Sequence, residues 1–110
     1  MSLNSLILST LQPLGIPVDF QTYEGESTTY ITFFEYNQRS ALNADDDEDI
    51  TSHSIQLDVW SKGNYNNIVQ QTKQLLKGIG FRRTHETEFY EEETKIYHKV
   101  LRFSYSKEEN

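Results

Sequence analysis

The sequence predicts an α+β domain in which two helices pack on one face of a mainly antiparallel sheet, in the order α-β-β-β-α-β-β. Two neighbouring stretches support this prediction most directly. In the first, Ile55, Leu57 and Val59 alternate with polar residues, and a period of two is typical of a strand with one buried face. In the second, residues 65–79 carry an apolar stripe at helical spacing, which is typical of an amphipathic helix lying on a sheet. The stripe consists of Tyr65, Ile68, Val69, Thr72, Leu75, Leu76 and Ile79.

Length and composition are those of one small domain with a lean core. The chain has 110 residues, of which 35% are hydrophobic and 13% aromatic. Single cores usually occupy about 100 to 150 residues, so we expect one domain over residues 1–110. A small domain with few aliphatic side chains gains stability when association buries more of its surface. The composition therefore favours an oligomer.

Charge and residue usage exclude several classes of protein. Seventeen acidic residues against ten basic residues give a net charge of -7. Such a surface repels phosphate backbones, which disfavours tight nucleic-acid binding. Cysteine is absent, so neither disulfides nor thiolate metal sites are expected. The longest apolar run near the N terminus is Leu6-Ile7-Leu8, and we therefore expect no signal peptide, no membrane span and synthesis in the cytoplasm.

The first third of the chain predicts one helix and two strands. Ser2 is placed to cap a helix that stops before Pro13. Residues 16–20 are expected to form a short strand, and Pro17 within it indicates an edge or a strand start. Residues 28–36 are dense in Thr, Tyr, Ile and Phe, which predicts a second strand.

The third strand and the main helix follow at residues 50–60 and 65–79. Either Ser61 or Asn64 in the turn between them can cap the helix. Gly78 and Gly80 lie at the C-terminal end of the helix, where a left-handed backbone conformation suits glycine.

A final hairpin is expected from residues 81–90 and 95–105. Apolar residues occupy both faces of its second strand, so hydrophobic patterning does not define its register. We predict that Leu101 and Phe103 face the core and that residues 106–110 form a frayed tail. The hairpin also carries the cations Arg82, Arg83, Lys95, Lys99 and Arg102, interleaved with glutamates. We expect cross-strand ion pairs here rather than a nucleic-acid surface.

Residues 37–49 are predicted to form a long polar loop at the tip of the hairpin between the second and third strands. Loops of this length tend to be functional. Its five consecutive carboxylates are Asp45, Asp46, Asp47, Glu48 and Asp49. They lack the spacing of a calcium-binding loop, so we predict no metal site. A ring of such loops would instead form a wall past which DNA slides without sticking.

Enzyme motifs are missing from the sequence. His53, His85 and His98 are spread over three predicted strands, whereas a zinc or hydrolytic site needs ligands that converge. Phosphate-binding loops and nucleophile-elbow motifs are also missing. We predict no catalytic residue, no metal and no cofactor. A metal-dependent hydrolase that uses these histidines is the least favoured of the alternative functions.

Aromatic residues on the outer face of the sheet are the candidate subunit interface. Strict alternation places Trp60 on the sheet face opposite to Ile55, Leu57 and Val59, where a neighbouring subunit can cover it. The alternative is that Trp60 caps the end of the sheet over the start of the helix. Exposed tryptophans often anchor interfaces. Phe34 is adjacent to Phe33 and points to the other face. We predict Trp60, Phe34 and Tyr36 as interface residues.

An alternative function is that of a small module that binds a peptide or small ligand at the open edge near residues 16–20.

The layout resembles the small tail completion proteins of long-tailed phages and prophages, a group that includes tail terminators and head-to-tail joining proteins. The resemblance spans nearly the whole chain. It is carried by Leu14-Gly15-Ile16-Pro17-Val18, Thr29-Tyr30-Ile31-Thr32-Phe33, Ile55-Gln56-Leu57-Asp58-Val59-Trp60-Ser61-Lys62, Leu75-Leu76-Lys77-Gly78-Ile79-Gly80-Phe81 and Leu101-Arg102-Phe103-Ser104-Tyr105.

This resemblance implies a virion assembly protein without catalytic activity. The expected form is a ring, usually of six copies, between the head connector and the tail tube. Its expected partners are further copies of itself, the phage connector and tail tube proteins, and DNA that passes without specific binding; no membrane is involved. The expected location is the host cytoplasm during assembly and then the virion. Long hairpins and loops of such proteins reach neighbours or the channel, and the matching position here is the loop at residues 37–49.

Overall fold

The computed structural model describes residues 2–40 and 50–108. The helices are α1 (Leu3–Leu11) and α2 (Asn66–Gly78), and a short 3-10 turn, Gln12–Leu14, follows α1. The strands are β1 (Val18–Phe20), β2 (Thr29–Ser40), β3 (Ile50–Ser61), β4 (Arg82–Glu91) and β5 (Ile96–Glu108). This order confirms the predicted α+β fold.

The five strands form one sheet in the order β1-β2-β3-β5-β4. All neighbouring pairs are antiparallel except β1 and β2, which are parallel. The prediction of a mainly antiparallel sheet is therefore confirmed. Pro17 directly precedes the edge strand β1, and its carbonyl accepts a hydrogen bond of 2.9 Å from the Ile31 amide. A proline is tolerated at this edge because no further strand needs its missing N–H.

The hydrophobic core lies between the two helices and one face of the sheet. Among the described residues, the hydrophobic side chains with 0% exposure are Ile7, Leu11, Ile31, Phe33, Ile55, Leu57, Val59, Leu76 and Leu101. Phe103 is 1% exposed on the same face, so the predicted core face of the last strand is confirmed. On α2 the predicted stripe faces this core, since Val69, Thr72 and Leu76 are buried.

The helix ends follow from local hydrogen bonds. The Ser2 hydroxyl accepts from the Ser5 amide at 3.1 Å, which confirms the predicted cap of α1. Before α2, the Asn64 side-chain oxygen accepts from the Asn66 amide at 2.9 Å. At the other end of α2, Gly80 has φ +104°, and the Phe81 amide turns back to the Leu76 carbonyl at 3.0 Å. The left-handed residue is therefore Gly80, whereas Gly78 ends the helix.

These two glycines are expected to respond oppositely to alanine. Gly80→Ala should lower the free energy of unfolding by roughly 1–2 kcal/mol, because a Cβ disfavours the left-handed region. Gly78→Ala should raise it by about 0.5–1 kcal/mol through better helix propensity, since nothing lies within 4 Å of the added Cβ. Urea unfolding of both variants measures the difference, and changes of equal sign would contradict this description of the helix end.

Two strands run further than the sequence predicts. β2 continues to Ser40, so residues 37–40 are strand and not loop, because a bulge between Glu35 and Asn37 keeps the pairing with β3 going. β5 continues to Glu108, three residues beyond the predicted strand end, since it pairs with the first residues of β3. Strand partners thus order polar segments that carry no hydrophobic pattern. The rest of the predicted loop, with Asp45 to Asp49, lies outside the described residues.

Candidate interaction surface

Both helices pack on one face of the sheet, and the opposite face, the helix-free face, carries the three predicted interface residues. Trp60 pairs in register with Tyr30, and Phe34 pairs with Gln56. Trp60 and Phe34 are half-buried, whereas Tyr36 is 44% exposed. Trp60 lies on the side away from the helices, as alternation predicts. The alternative, in which it caps the sheet end over the helix start, is wrong.

A transverse row of rings, the aromatic row, crosses this face and consists of Tyr23, Tyr30, Trp60, His98 and Phe89. The last four are register partners on β2, β3, β5 and β4. Successive ring centroids lie 4.3, 6.2, 3.7 and 5.9 Å apart. Cross-strand aromatic pairs contribute roughly 0.2–1 kcal/mol each. The row therefore joins four strands into one aromatic stripe.

Trp60 is held in a single orientation within this row. Its ring stacks on His98 with an interplanar angle of 11°, and its Nε1 donates to the Thr32 hydroxyl at 3.2 Å. The indole therefore has both its ring face and its polar atom engaged. A side chain that is already ordered has less conformational entropy left to lose.

A polar network lies next to the aromatic row. Asp58 is only 6% exposed, and its carboxylate accepts from Gln56 Nε2 at 3.1 Å and lies 2.7 Å from His98 Nε2. Gln56 in turn accepts from Arg102 Nε at 3.1 Å, and the Arg102 guanidinium lies 4.8 Å from the ring centroid of Tyr36. Buried carboxylates need such partners. The network thus holds these side chains of the helix-free face in place.

Phe89 is a surface residue that sequence reasoning missed. It is 54% exposed at the end of the aromatic row, on the edge strand β4. A depression of about 400 Å³ lies beside it, between His85, His98 and Arg102. Strict alternation from the buried Phe81 would place Phe89 on the core side, and the register shift between Arg83 and His85 is what turns it to the outer face. Its position beside His98 depends on the register of β4 and β5.

Ion pairs between β4, β5 and α2 confirm the predicted cross-strand pairing of charges. Glu86 lies 2.7 Å from Lys73 Nζ, 2.7 Å from Lys99 Nζ and 3.1 Å from Arg83 Nη1. Burial acts to raise the pKa of Glu86, but the hydrogen bonds to Lys73 and Lys99 outweigh it and lower the pKa to about 2. Glu86 is therefore a carboxylate that the surrounding lysines keep ionised.

Two tyrosines, Tyr30 and Tyr65, have raised pKa values. Burial, and then the hydrogen bond that the Tyr65 hydroxyl donates to Glu88, raise the pKa of Tyr65. Burial, and then the charge of Glu91, raise the pKa of Tyr30. Both phenols therefore stay protonated at neutral pH and act as packing and hydrogen-bonding groups.

The three histidines do not form a site. His53 lies on the helix side of the sheet beside Glu35, whereas His85 and His98 lie on the opposite face. Within residues 2–40 and 50–108, no group of three or more acidic or histidine side chains could hold a metal ion. The hydrolase hypothesis required convergence of these histidines, and this geometry does not provide it.

The β1 edge offers little to an extended peptide. The strand has three residues, so an added strand would form only a few ladder hydrogen bonds. Phe20 at its end is 43% exposed and packs edge-on against Phe33, with ring centroids 5.7 Å apart. A ligand-binding module at this edge stays a prediction.

Comparisons with known proteins give a fold relationship. No protein family matches the sequence, and no curated protein matches it. Neither described helix has the length and apolar character that a membrane crossing requires. A chain from a solved structure described as the virion of a native gene transfer agent (GTA) particle is similar, with a TM-score of 0.55 and 12% sequence identity. The match covers 91% of this chain and 82% of that chain, so the two proteins share a fold over most of their length.

Proposed function

We propose that this protein is a non-enzymatic virion assembly protein that forms a ring at the phage head-tail junction or at the top of the tail tube. The proposed role is that of a tail completion, tail terminator or head-to-tail joining protein. The observation that carries the proposal is the shared fold with a chain of a gene transfer agent virion over 91% of the residues. The layout of the sequence, which resembles that of tail completion proteins, points in the same direction.

The helix-free face supports the proposal because it has the properties of a subunit contact. Interface cores are enriched in aromatic residues and arginine, and this face combines the aromatic row with Arg102 and Tyr36. Its side chains are ordered by stacking and by the Asp58 network, so association would cost little further entropy. A sheet face that exposes aromatic rings beside polar groups is suited to a neighbouring subunit.

In the proposed ring, each copy would use this face against the next copy, and the ring would contact the connector on one side and the tail tube on the other. The net charge of -7 suits a channel that DNA passes without binding. We propose that assembly takes place in the host cytoplasm and that the ring then remains in the virion.

The replacement Trp60→Ala tests this interface. If the tryptophan is an anchor, the loss of its ring should weaken subunit association by about 2 kcal/mol or more, roughly 30-fold. Leu8→Ala is the matched control, since Leu8 is 39% exposed on the helix side of the molecule. Association is measured by sedimentation and by co-purification with phage connector and tail tube proteins.

If the ring forms only on the virion, the protein can be a monomer in dilute solution. Co-purification is therefore the measurement that tests the proposed function. Wild-type protein that joins none of these proteins would contradict the proposed function. Equal behaviour of Trp60→Ala, Leu8→Ala and wild type in an assembly that does form would leave the function standing and remove the helix-free face as its interface. Circular dichroism of each variant ensures that folded chains are compared.

A further inference from the structure

A groove between α2 and the start of β4 collects positive charge in an acidic protein. It has a volume of about 340 Å³ and is lined by Lys73, Lys77, Arg82 and Arg83, with Phe81 and Phe103 at its floor. This basic groove thus holds four of the ten basic residues of a chain whose net charge is -7. Such segregation of charge indicates an anionic partner.

The positive charge of the basic groove is only partly neutralised within the chain. Glu86 pairs with Lys73 and Arg83 at the groove and also with Lys99. In the part of the chain that the structure describes, Lys77 and Arg82 have no ion-pair partner. Both are exposed, so their charges are available to a ligand. Two of these cations, Lys73 and Lys99, also lower the pKa of Glu86.

The shape of the groove favours a short acidic peptide over a nucleic acid. Duplex binding relies on an extended basic stripe that follows the phosphates, whereas this groove is a single depression. Its apolar floor contacts a side-chain stem or backbone better than a phosphate. Arginine and lysine on the rim provide charge-assisted hydrogen bonds to carboxylates, and arginine can bind one in bidentate geometry.

We propose that the basic groove binds the acidic run of a second copy of this chain, the carboxylates of residues 45–49. These are five consecutive acidic residues, and they complement the four cations of the groove. In the sequence the acidic run directly precedes Ile50, the first residue of β3, whereas the groove lies between α2 and β4. Complementary patches at two different places on one chain form a heterologous contact, which closes into a ring when the rotation between copies allows it. The inference deepens the proposed function, since it rests on self-assembly.

A peptide-binding measurement tests the groove directly. The receptor is the full chain with its own run neutralised (D45N/D46N/D47N/E48Q/D49N), and the probe is a fluorescent peptide of residues 41–50. We expect saturable binding by fluorescence anisotropy, and about a tenfold weaker affinity in a receptor that also carries K77E/R82E, because two rim ion pairs become repulsions. K62E/K95E is the control with equal charge change outside the groove and should retain the affinity within about twofold. Absent binding, or an equal loss in the control, would overturn the proposal.

Mixing two complementary variants separates docking between copies from docking within one chain. One chain keeps the acidic run and carries K77E/R82E; the other keeps the groove and has the neutralised run. We expect carboxylate-to-lysine cross-links that join residues 45–49 of the first chain to Lys73 or Lys77 of the second in the mixture, and no cross-link between these residues and the groove in either sample alone. A mixture without this particular cross-link would overturn docking between copies. A DNA duplex that binds the groove more tightly than the peptide, and loses affinity with K77E/R82E, would also overturn the proposal in favour of a phosphate ligand.

These results are distinguishable from failure of the proposed function. Wild-type chain that co-assembles with virion proteins while the peptide does not bind would remove only the groove contact. Peptide binding and cross-linking without any co-assembly would support the groove contact and contradict the virion role.

Discussion

Replacement of Phe33 by alanine is expected to lower the free energy of unfolding by about 3–5 kcal/mol. Phe33 is 0% exposed at the centre of the core, so the deleted ring leaves a cavity as well as losing its transfer free energy. A domain of this size has a total stability of roughly 5–15 kcal/mol, so the replacement removes a large part of it. The effect is measured by urea unfolding followed by circular dichroism.

Phe20 provides the matched control for Phe33. The two rings contact each other at 5.7 Å, but Phe20 is 43% exposed on the edge strand. Phe20→Ala should therefore cost only about 1 kcal/mol. If Phe33→Ala is too unstable to purify, Phe33→Leu, with an expected loss of about 1–2 kcal/mol, takes its place. Equal losses at positions 20 and 33 would show that the core does not lie on this face of the sheet.

Glu86→Gln is expected to cost about 2 kcal/mol at pH 7 and to lose this effect in acid. The ordinary pKa of the carboxyl is 4.5 and its pKa in the folded chain is about 2. A lowered folded pKa contributes stability that is present above the ordinary pKa and is lost as the pH falls through the folded value. The contribution should therefore disappear between about pH 5 and pH 2. The expected value of about 2 kcal/mol is smaller than the free energy that corresponds to the full pKa shift, because the Glu86 side chain is 20% exposed and solvent screens its charge.

Urea unfolding of wild type and Glu86→Gln at a series of pH values measures this difference. Glu92→Gln is the control, since Glu92 lies exposed in the β4–β5 turn, and it should match wild type at every pH. A stability gap between wild type and Glu86→Gln that stays constant from pH 7 to pH 3 would contradict the assigned role of the lysine pairs.

The inner side of the sheet is predictable because each strand and helix carries its own hydrophobic period. Ile55, Leu57 and Val59 alternate and are all buried, and the stripe on α2 faces them. The bounds of β2 and β5 are less predictable. Residues 37–40 and 106–108 have no apolar pattern, and only hydrogen bonds to β3 make them strands.

The aromatic row shows where sequence reasoning stops. Alternation places Trp60 on the outer face, which the structure confirms, but it does not reveal which rings lie beside it. Tyr30, His98 and Phe89 become its neighbours through the registers of three strand pairs. The register of β4 and β5 cannot be read from a strand that is apolar on both faces.

The basic groove depends on tertiary packing in the same way. Along the sequence, the cations of β4 look balanced by neighbouring glutamates, and cross-strand pairing at Glu86 is indeed present. Two further lysines come from α2, and only the packing of that helix beside β4 brings Lys77 near Arg82. Summed charge along a segment therefore says little about local charge density in space.

The sequence by itself determined the order of helices and strands and the side of each that faces the core, because hydrophobic periodicity is a local property. Only the tertiary structure decided the sheet register, the rings that border Trp60 and the groove that concentrates positive charge. These features arise from residues that lie far apart in the chain, and their positions depend on strand pairing and helix packing that no single segment encodes.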